Sequence, residues 1–433
     1  MKDLYEKYCG CGYRVATDSR AVHGGEMFFA LRGDNFDGND FAAAALDAGA
    51  AWAVVNADAA LPDEGRLIRV ESPFETLKEL AVMHRCTVRD GRLPVLGLTG
   101  TNGKTTTKEL IAAVLSRKYK VAATPGNLNN DIGVPLSLLG IRPDTEIAVI
   151  EMGANHPDDI EKLVRVCRPD YGLITNVGRA HLLGFGSFEG VKHAKGALYR
   201  WLGAHPGSVI FLNEDDGELR AMAASEACHC FGYGLAYQGA EILPWGPESP
   251  FLSLRLPDTE VRTQLVGSYN AANVLAALAV GEYFGVERAD AVAAIEAYAP
   301  ANQRSQMVRS ARNTLIVDAY NANPSSMRAA LDNFASMDAP AKLALLGDMR
   351  ELGEESRGEH IKVLEQLSRA GIDACLVGEE FSKALKDTGT SAFRVFPDSE
   401  SLASWLRSNP PCGRCILIKG SRGIRMETAI PEL

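Results

Sequence analysis

The feature that most constrains this chain is an apolar run, Val95-Leu96-Gly97-Leu98-Thr99, that ends directly in Gly100-Thr101-Asn102-Gly103-Lys104-Thr105-Thr106 and then in a helical stretch reaching about Ser116. A buried strand, a Gly-rich turn and a helix in that order are half of a βαβ unit, so the strand belongs in a parallel sheet covered by helices. The two glycines let backbone N–H groups approach phosphate oxygens, and the helix offers its positive end. Lys104 adds a point charge, and the Thr105 hydroxyl can reach a magnesium ion. The spacing is a variant of GxxxxGK[ST], because Leu98 stands five residues before Gly103. A plain tight turn would explain the glycines but not the strand, the Gly-Lys-Thr-Thr string and the helix together.

The same alternation organises the rest of the chain. Apolar runs at 147–150, 173–175 and 209–212, separated by helical segments, extend a mostly parallel sheet. Residues 226–265 break the rhythm and predict an antiparallel excursion, after which a helix over 270–284 closes the unit. Beyond Pro300 strands recur at 315–317, 343–346, 375–377 and 416–418, which predicts a doubly wound, Rossmann-like domain. Ahead of the phosphate loop lies a small α/β unit with strands at 27–31 and 52–55 and helices at 40–48 and 73–85. Asp90-Gly91-Arg92-Leu93-Pro94 marks the first boundary. The 433 residues, at about 150 per domain, therefore divide into three α/β domains, 1–90, 91–305 and 306–433.

Composition excludes several functions. With 45 Lys and Arg against 55 Asp and Glu, the net charge of −10 argues against a surface that wraps nucleic acid. No apolar stretch approaches the ~20 residues of a membrane span. The first residues mix both charge signs without an apolar core, so a cytoplasmic address is expected. Nine cysteines, an odd number, predict free thiols in a reducing compartment. The Cys412/Cys415 CxxC and the Cys9/Cys11 and Cys228/Cys230 pairs read as ordinary thiols, since structural zinc needs two such pairs brought together.

Glu151 follows the run 147–150, and a carboxylate at the carboxyl end of a strand beside a phosphate loop is placed to hold a metal. His181 lies just after the third strand, where a structural hydrogen-bonding role is the commoner one, and Lys195 reads as a solvated helix lysine. Asn270 and Asn273 fall at i and i+3 on one helix face, where amides can read a base edge.

The loop, together with Thr124-Pro125-Gly126-Asn127-Leu128-Asn129-Asn130-Asp131-Ile132-Gly133-Val134-Pro135, Asp318-Ala319-Tyr320-Asn321-Ala322-Asn323-Pro324-Ser325-Ser326-Met327 and Leu346-Gly347-Asp348-Met349-Arg350-Glu351-Leu352-Gly353, resembles the Mur ligase family in the family's own order. These are the amide-forming enzymes of peptidoglycan precursor synthesis, and the resemblance covers essentially the whole chain. It implies an ATP-dependent, ADP-forming ligase that adds D-alanyl-D-alanine to a UDP-N-acetylmuramoyl tripeptide through an acyl phosphate. The three domains would then bind UDP-substrate, bind ATP and complete the nucleotide site, in a monomer.

The resemblance also implies roles. Gly100, Thr101, Asn102, Gly103, Lys104, Thr105, Thr106, Asn270, Asn273, Arg304 and Asp318 would hold ATP, although Tyr269 stands where the family commonly has His. Lys104, Glu151, His181 and Lys195 would be catalytic. Two magnesium sites would draw on Thr105, Glu151, His181 and Lys195, the last as a carbamate. Ser19, Arg20, Asn127, Asn129 and Asn130 would face the UDP-peptide, and Tyr320, Asn321 and Asn323 the dipeptide. Lys419 is a further candidate for neutralising charge in the cleft. The Asp-Asn-Pro-Arg string of diaminopimelate-adding relatives is absent. A P-loop switch or assembly ATPase would leave the Asn-Ala-Asn-Pro and Glu-Leu-Gly segments without a purpose.

Overall fold

Strand Val95–Thr99 lies in the interior of a six-stranded, wholly parallel sheet. The spatial order is His229–Tyr233, Val209–Asn213, Tyr171–Ile174, Val95–Thr99, Ile147–Glu151 and Val121–Ala123. From Val95–Thr99 the chain runs outward to Val121–Ala123, returns to Ile147–Glu151, and then crosses to Tyr171–Ile174 on the other side. The order of winding reverses at Val95–Thr99, and the crevice beyond the carboxyl end of such a strand is where α/β sheets bind ligands. All five residues of the strand are buried, so both faces are covered.

The structure is a computed structural model that describes residues 1–62, 65–244, 251–301, 303–339 and 341–433. One expectation needs correction: His229–Tyr233 belongs to the predicted antiparallel excursion by sequence, yet it pairs in parallel with Val209–Asn213 and extends the main sheet. Among the described residues of that stretch, Glu241–Ile242, Ser253–Arg255 and Glu260–Arg262 form the antiparallel insert. Residues 245–250 of that stretch, and Asn302 at the second boundary, lie outside the described residues.

Helix Lys104–Leu115 buries Leu110, Ile111, Val114 and Leu115 in one cluster with Val274, Leu275 and Leu278 of helix Ala271–Tyr283. Each fully buried side chain of this size contributes about 1.5–3 kcal/mol, which fixes the phosphate-loop helix against the sheet. The N-terminal sheet orders Val15–Ala16, Met27–Phe29, Trp52–Asn56 and Leu67–Val70, all parallel. Helix Pro73–Thr87, started by Pro73 and by the Ser72 hydroxyl accepting from Glu75 N–H, ties this sheet to the central one. Its Leu77, Leu80 and Ala81 share a core with Met27 and Phe29 on one side and Val134, Leu138 and Leu139 on the other. His84 on the same helix bridges Tyr5 and the Ile141 carbonyl.

The C-terminal sheet has the order Gln306–Arg309, Thr314–Asp318, Cys415–Lys419, Leu343–Gly347, Asp373–Val377 and Arg394–Phe396. Its first strand is an antiparallel edge and the rest are parallel, the doubly wound arrangement expected. Register places Asp318 beside Lys419 at the carboxyl ends of neighbouring strands. All nine cysteines are free thiols, with Cys412 exposed and Cys415 buried. No helix among the described residues is long and apolar enough to cross a membrane.

Candidate active site

The phosphate loop takes its shape from backbone that only glycine adopts easily. Gly100 has φ 148° and Gly103 φ 80°, and a Cβ on either would strike Thr175 or Asn273. The loop is then clamped to the segment after strand Tyr171–Ile174. Thr101 N–H donates to the Asn176 carbonyl, Asn102 N–H to Asn176 Oδ1, and the Asn102 carbonyl accepts from the Thr175 hydroxyl and Asn176 Nδ2. Asn176 therefore fixes the loop, a role with no local sequence signature.

A cavity of about 690 Å³ opens over this loop, between the central and C-terminal sheets. Thr101, Asn102, Gly103, Lys104, Thr106, Asn129, Asn130, Glu151, His181, Asn270, Asn273, Arg304, Asp318, Tyr320, Asn321 and Asn323 all line it. Gly100, Thr105 and Lys195, also expected at the site, are not part of its lining. The sequence did not single out Asn176, Asp131, His156, Lys162 or Ser305, which also line the cavity. Ser19, Arg20 and Asn127 do not line it. Arg20 is folded back on Asp18 in a two-pronged ion pair on the N-terminal unit, and Asn127 is exposed.

At the base of the cavity the Glu151 carboxylate is almost fully buried. Its Oε1 accepts from the Thr105 hydroxyl at 3.2 Å and from Asn129 Nδ2 at 2.8 Å. Its Oε2 is buried with no hydrogen-bond partner among the described residues, and the Lys108 ammonium stands 4.0 Å away. A buried carboxylate oxygen without a partner is costly unless a cation completes it. Together with the Thr105 hydroxyl this is a donor set suited to magnesium, which takes few protein ligands and completes its shell with phosphate and water. Among the described residues no three His, Cys, Asp or Glu side chains gather into a metal cluster, so such an ion would depend on the nucleotide as well.

Lys104 and Arg304 line the cavity, and Lys108 and Lys195 are buried outside its lining. Lys104 Nζ donates to the carbonyls of Gly100 and Thr101, and burial lowers its pKa. Lys108 donates to the carbonyls of Thr124 and Gly126, binding the Thr124–Asn130 stretch to the phosphate helix, and burial again lowers its pKa. Lys195 is buried with no carboxylate paired to it among the described residues; burial, then the charge of Lys104, push its pKa well down. Its ammonium is thus disfavoured, the opposite of a solvated helix lysine. Arg304 lies over the Tyr320 ring at 3.7 Å.

His181, at φ 50°, is hydrogen-bonded through Nδ1 to Glu351 of the C-terminal unit. Burial lowers the imidazole pKa more than Glu351 raises it. A carboxylate on Nδ1 keeps the proton there, so the neutral ring presents a bare Nε2, the form a metal takes. Nothing in the local sequence around Glu351 marks it as the partner of His181, 170 residues away. Arg179 and Glu355 form a second ion pair across the same junction at 3.0 Å.

The asparagines of helix Ala271–Tyr283 are partly occupied. Asn273 Oδ1 accepts from Thr107, Asn273 Nδ2 donates to Asn270 Oδ1, and Asn270 Nδ2 donates to the Val266 carbonyl. Each amide nitrogen keeps one further N–H. Asp318 is engaged through Oδ2 by the Lys419 ammonium at 2.5 Å and through Oδ1 by Ser305 N–H at 3.3 Å. Asn323 caps helix Pro324–Ser336 and donates to Asn102 Oδ1, while Asn321 Oδ1 accepts from Ala322 N–H.

Comparison with known proteins agrees with this geometry along the chain. Residues 13–85 match the family model described as Mur ligase family, catalytic domain, residues 98–281 the Mur ligase middle domain, and residues 303–422 the Mur ligase, glutamate ligase domain. The UDP-N-acetylmuramoyl-tripeptide--D-alanyl-D-alanine ligase of Bacillus subtilis is 31% identical over 427 residues, covering 97% of this chain and 92% of the relative. A crystal structure of MurF from Acinetobacter baumannii superposes with TM-score 0.83 at 32% identity, covering 97% of this chain and 93% of that one. The MurF ligase of Thermotoga maritima in complex with ADP gives TM-score 0.83 at 27% identity, covering 100% and 98%. With the phosphate loop, the carboxylate beneath it and the facing C-terminal wall all in place, the chain belongs to the Mur ligase family.

Proposed function

We propose that the protein is an ATP-dependent, ADP-forming ligase that adds D-alanyl-D-alanine to a UDP-N-acetylmuramoyl tripeptide in peptidoglycan precursor synthesis. The observation that carries this is a single cavity in which a phosphate loop, the orphaned Glu151 oxygen and the C-terminal residues Asp318 and Asn321 face one another. The full-length relatives of that activity support it. Residues 1–90, 91–305 and 306–433 act as the UDP-substrate, ATP and closing domains of a cytoplasmic monomer.

In the reaction the γ-phosphoryl group of ATP passes to the terminal carboxylate of the tripeptide, giving ADP and an acyl phosphate. The amine of D-alanyl-D-alanine then attacks the acyl carbon, loses a proton and expels phosphate, leaving an amide. Lys104 Nζ turns from its loop carbonyls to donate to the phosphates and stabilises the charge of the transferring group. Arg304 adds a second cation to that end, while Asn270 and Asn273 spend their remaining N–H groups on the base. Thr105, Glu151, His181 and Lys195 are the residues that would hold magnesium at two sites, and magnesium when bound neutralises charge on the phosphates. Lys195, whose pKa burial and the charge of Lys104 push down, would serve as a carbamate, formed when its neutral amine adds carbon dioxide and releases a proton to solvent. Asn129 and Asn130 face the peptide, with Ser19 and Arg20 on the uridine diphosphate and Asn321 on the dipeptide side.

The test is phosphate release from ATP with each substrate omitted in turn. Release that needs both the UDP-tripeptide and D-alanyl-D-alanine is expected. Equal turnover with ATP alone would replace the ligase by an ATPase.

A further inference from the structure

We propose that Tyr320 is a positioning residue whose ring aims the Arg304 guanidinium into the cavity, and that it is not a dipeptide contact. The proposal rests on the reading of the cavity as the ATP site.

Arg304 enters the C-terminal sheet from a stretch in which Gln303 has φ 58° and Ser305 φ 49°, both left-handed and both non-glycine. Such backbone persists only where its surroundings over-determine it. Ser305 supplies that constraint, its N–H on Asp318 Oδ1 at 3.3 Å and its hydroxyl with Tyr269 Oη at 2.9 Å. The backbone of Arg304 is thus pinned on one side, but its side chain is not held by any ion pair among the described residues, and its Nε is buried without a partner. What fixes the guanidinium is the Tyr320 ring at 3.7 Å, a distance of direct stacking.

Arg422 makes a useful contrast. It approaches the same ring at 5.7 Å but is compensated by Glu427 at 3.3 Å. Arg304 therefore keeps its whole charge for an anion in the cavity, and its field already reaches Lys104 and Lys108. Within the protein the Tyr320 contact to Arg304 is made by the ring, and the hydroxyl makes no hydrogen bond among the described residues.

The experiment is steady-state kinetics on the full chain with all three substrates varied, for Tyr320→Phe, Tyr320→Leu, Arg304→Ala and the double variant Arg304→Ala/Tyr320→Leu. Tyr320→Leu should raise KM for ATP about ten-fold, the scale of a half-buried cation–π contact between the exposed and desolvated limits. Tyr320→Phe should stay near wild type, KM for D-alanyl-D-alanine should hold in both, and Tyr320→Leu should add nothing once Arg304 is gone. Tyr320→Gln serves as the ring-free variant if Tyr320→Leu does not fold. A raised dipeptide KM, a Phe variant as poor as Leu, or additive effects in the double variant would overturn the platform while leaving the ATP site intact. An unchanged ATP KM in Arg304→Ala would instead remove the nucleotide role of this arginine, and the proposal with it.

Discussion

Asn323 donates its side-chain amide to Oδ1 of Asn102 across 2.8 Å, so the C-terminal unit rests on the tip of the phosphate loop. The same side chain caps helix Pro324–Ser336 by accepting from Ser326 N–H at 2.9 Å. The cap and the clasp use different atoms, which makes them separable. Asn323→Asp keeps an acceptor for the cap but sets a carboxylate against Asn102 Oδ1. It should unfold thermally like wild type yet show a raised KM for ATP. Asn323→Ala loses both, and should also cost about 1 kcal/mol of stability. Equal thermal losses in the two variants would mean the clasp, not the cap, holds this helix.

Lys104→Ala should lower kcat by roughly a hundred- to a thousand-fold or more, the scale of removing one charged donor from a transition state. The fold should survive, because among the described residues Nζ donates to two loop carbonyls and to no side chain. Circular dichroism beside the rate assay checks both parts, and near wild-type turnover would place the phosphates elsewhere.

Lys195→Ala should be nearly inactive, and added formate or acetate should restore part of the turnover by entering the space of the lost carboxylate. Lys195→Arg should not work, because it forces a cation into a site that already disfavours one. An active Arg variant together with no response to short carboxylates would refute the carbamate.

His84 gives a pH prediction. The ring is fully buried, Nε2 donates to the Ile141 carbonyl at 3.0 Å, Nδ1 accepts from Tyr5 at 3.1 Å, and Tyr8 and Tyr13 pack around it. Burial, with a smaller contribution from Arg142, lowers its pKa below 6.5 against the pull of the carbonyl. The unfolded chain therefore binds the proton more readily. The stabilisation is complete above pH 6.5 and is lost as the pH falls through the folded value. Denaturant melts of wild type and His84→Gln across this range should converge toward acid. Parallel curves would assign the acid sensitivity to another group.

The parts legible in the sequence are those written locally. Val95–Thr99 is a continuous apolar run, and the Gly-Lys-Thr-Thr string follows it without a break, so strand, loop and helix could be read in register. His229–Tyr233 was not legible as a parallel strand, because at the sheet edge it is only partly buried and lacks such a run. Val121–Ala123 and Arg394–Phe396 are shorter than any pattern needs. Within the site, the Lys419 partner of Asp318 and the Glu351 partner of His181 sit 101 and 170 residues away. Neither contact leaves a period or a spacing in the chain; only the strand register and the domain junction create it.

The sheet edges have a consequence for how the protein behaves in concentrated solution. An unpaired strand is a template for another chain, and aggregation spreads most easily from long, flat, apolar ones. Here the outermost strands include Val121–Ala123, Gln306–Arg309, Arg394–Phe396 and Leu67–Val70. Arg309, Arg394 and Arg69 stand exposed on three of them, and exposed Lys120 immediately precedes the fourth. A second molecule that tried to add a strand at any of these four edges would find a stretch of three or four residues and a cation on it or beside it, which leaves His229–Tyr233 as the longest outer strand of the three sheets.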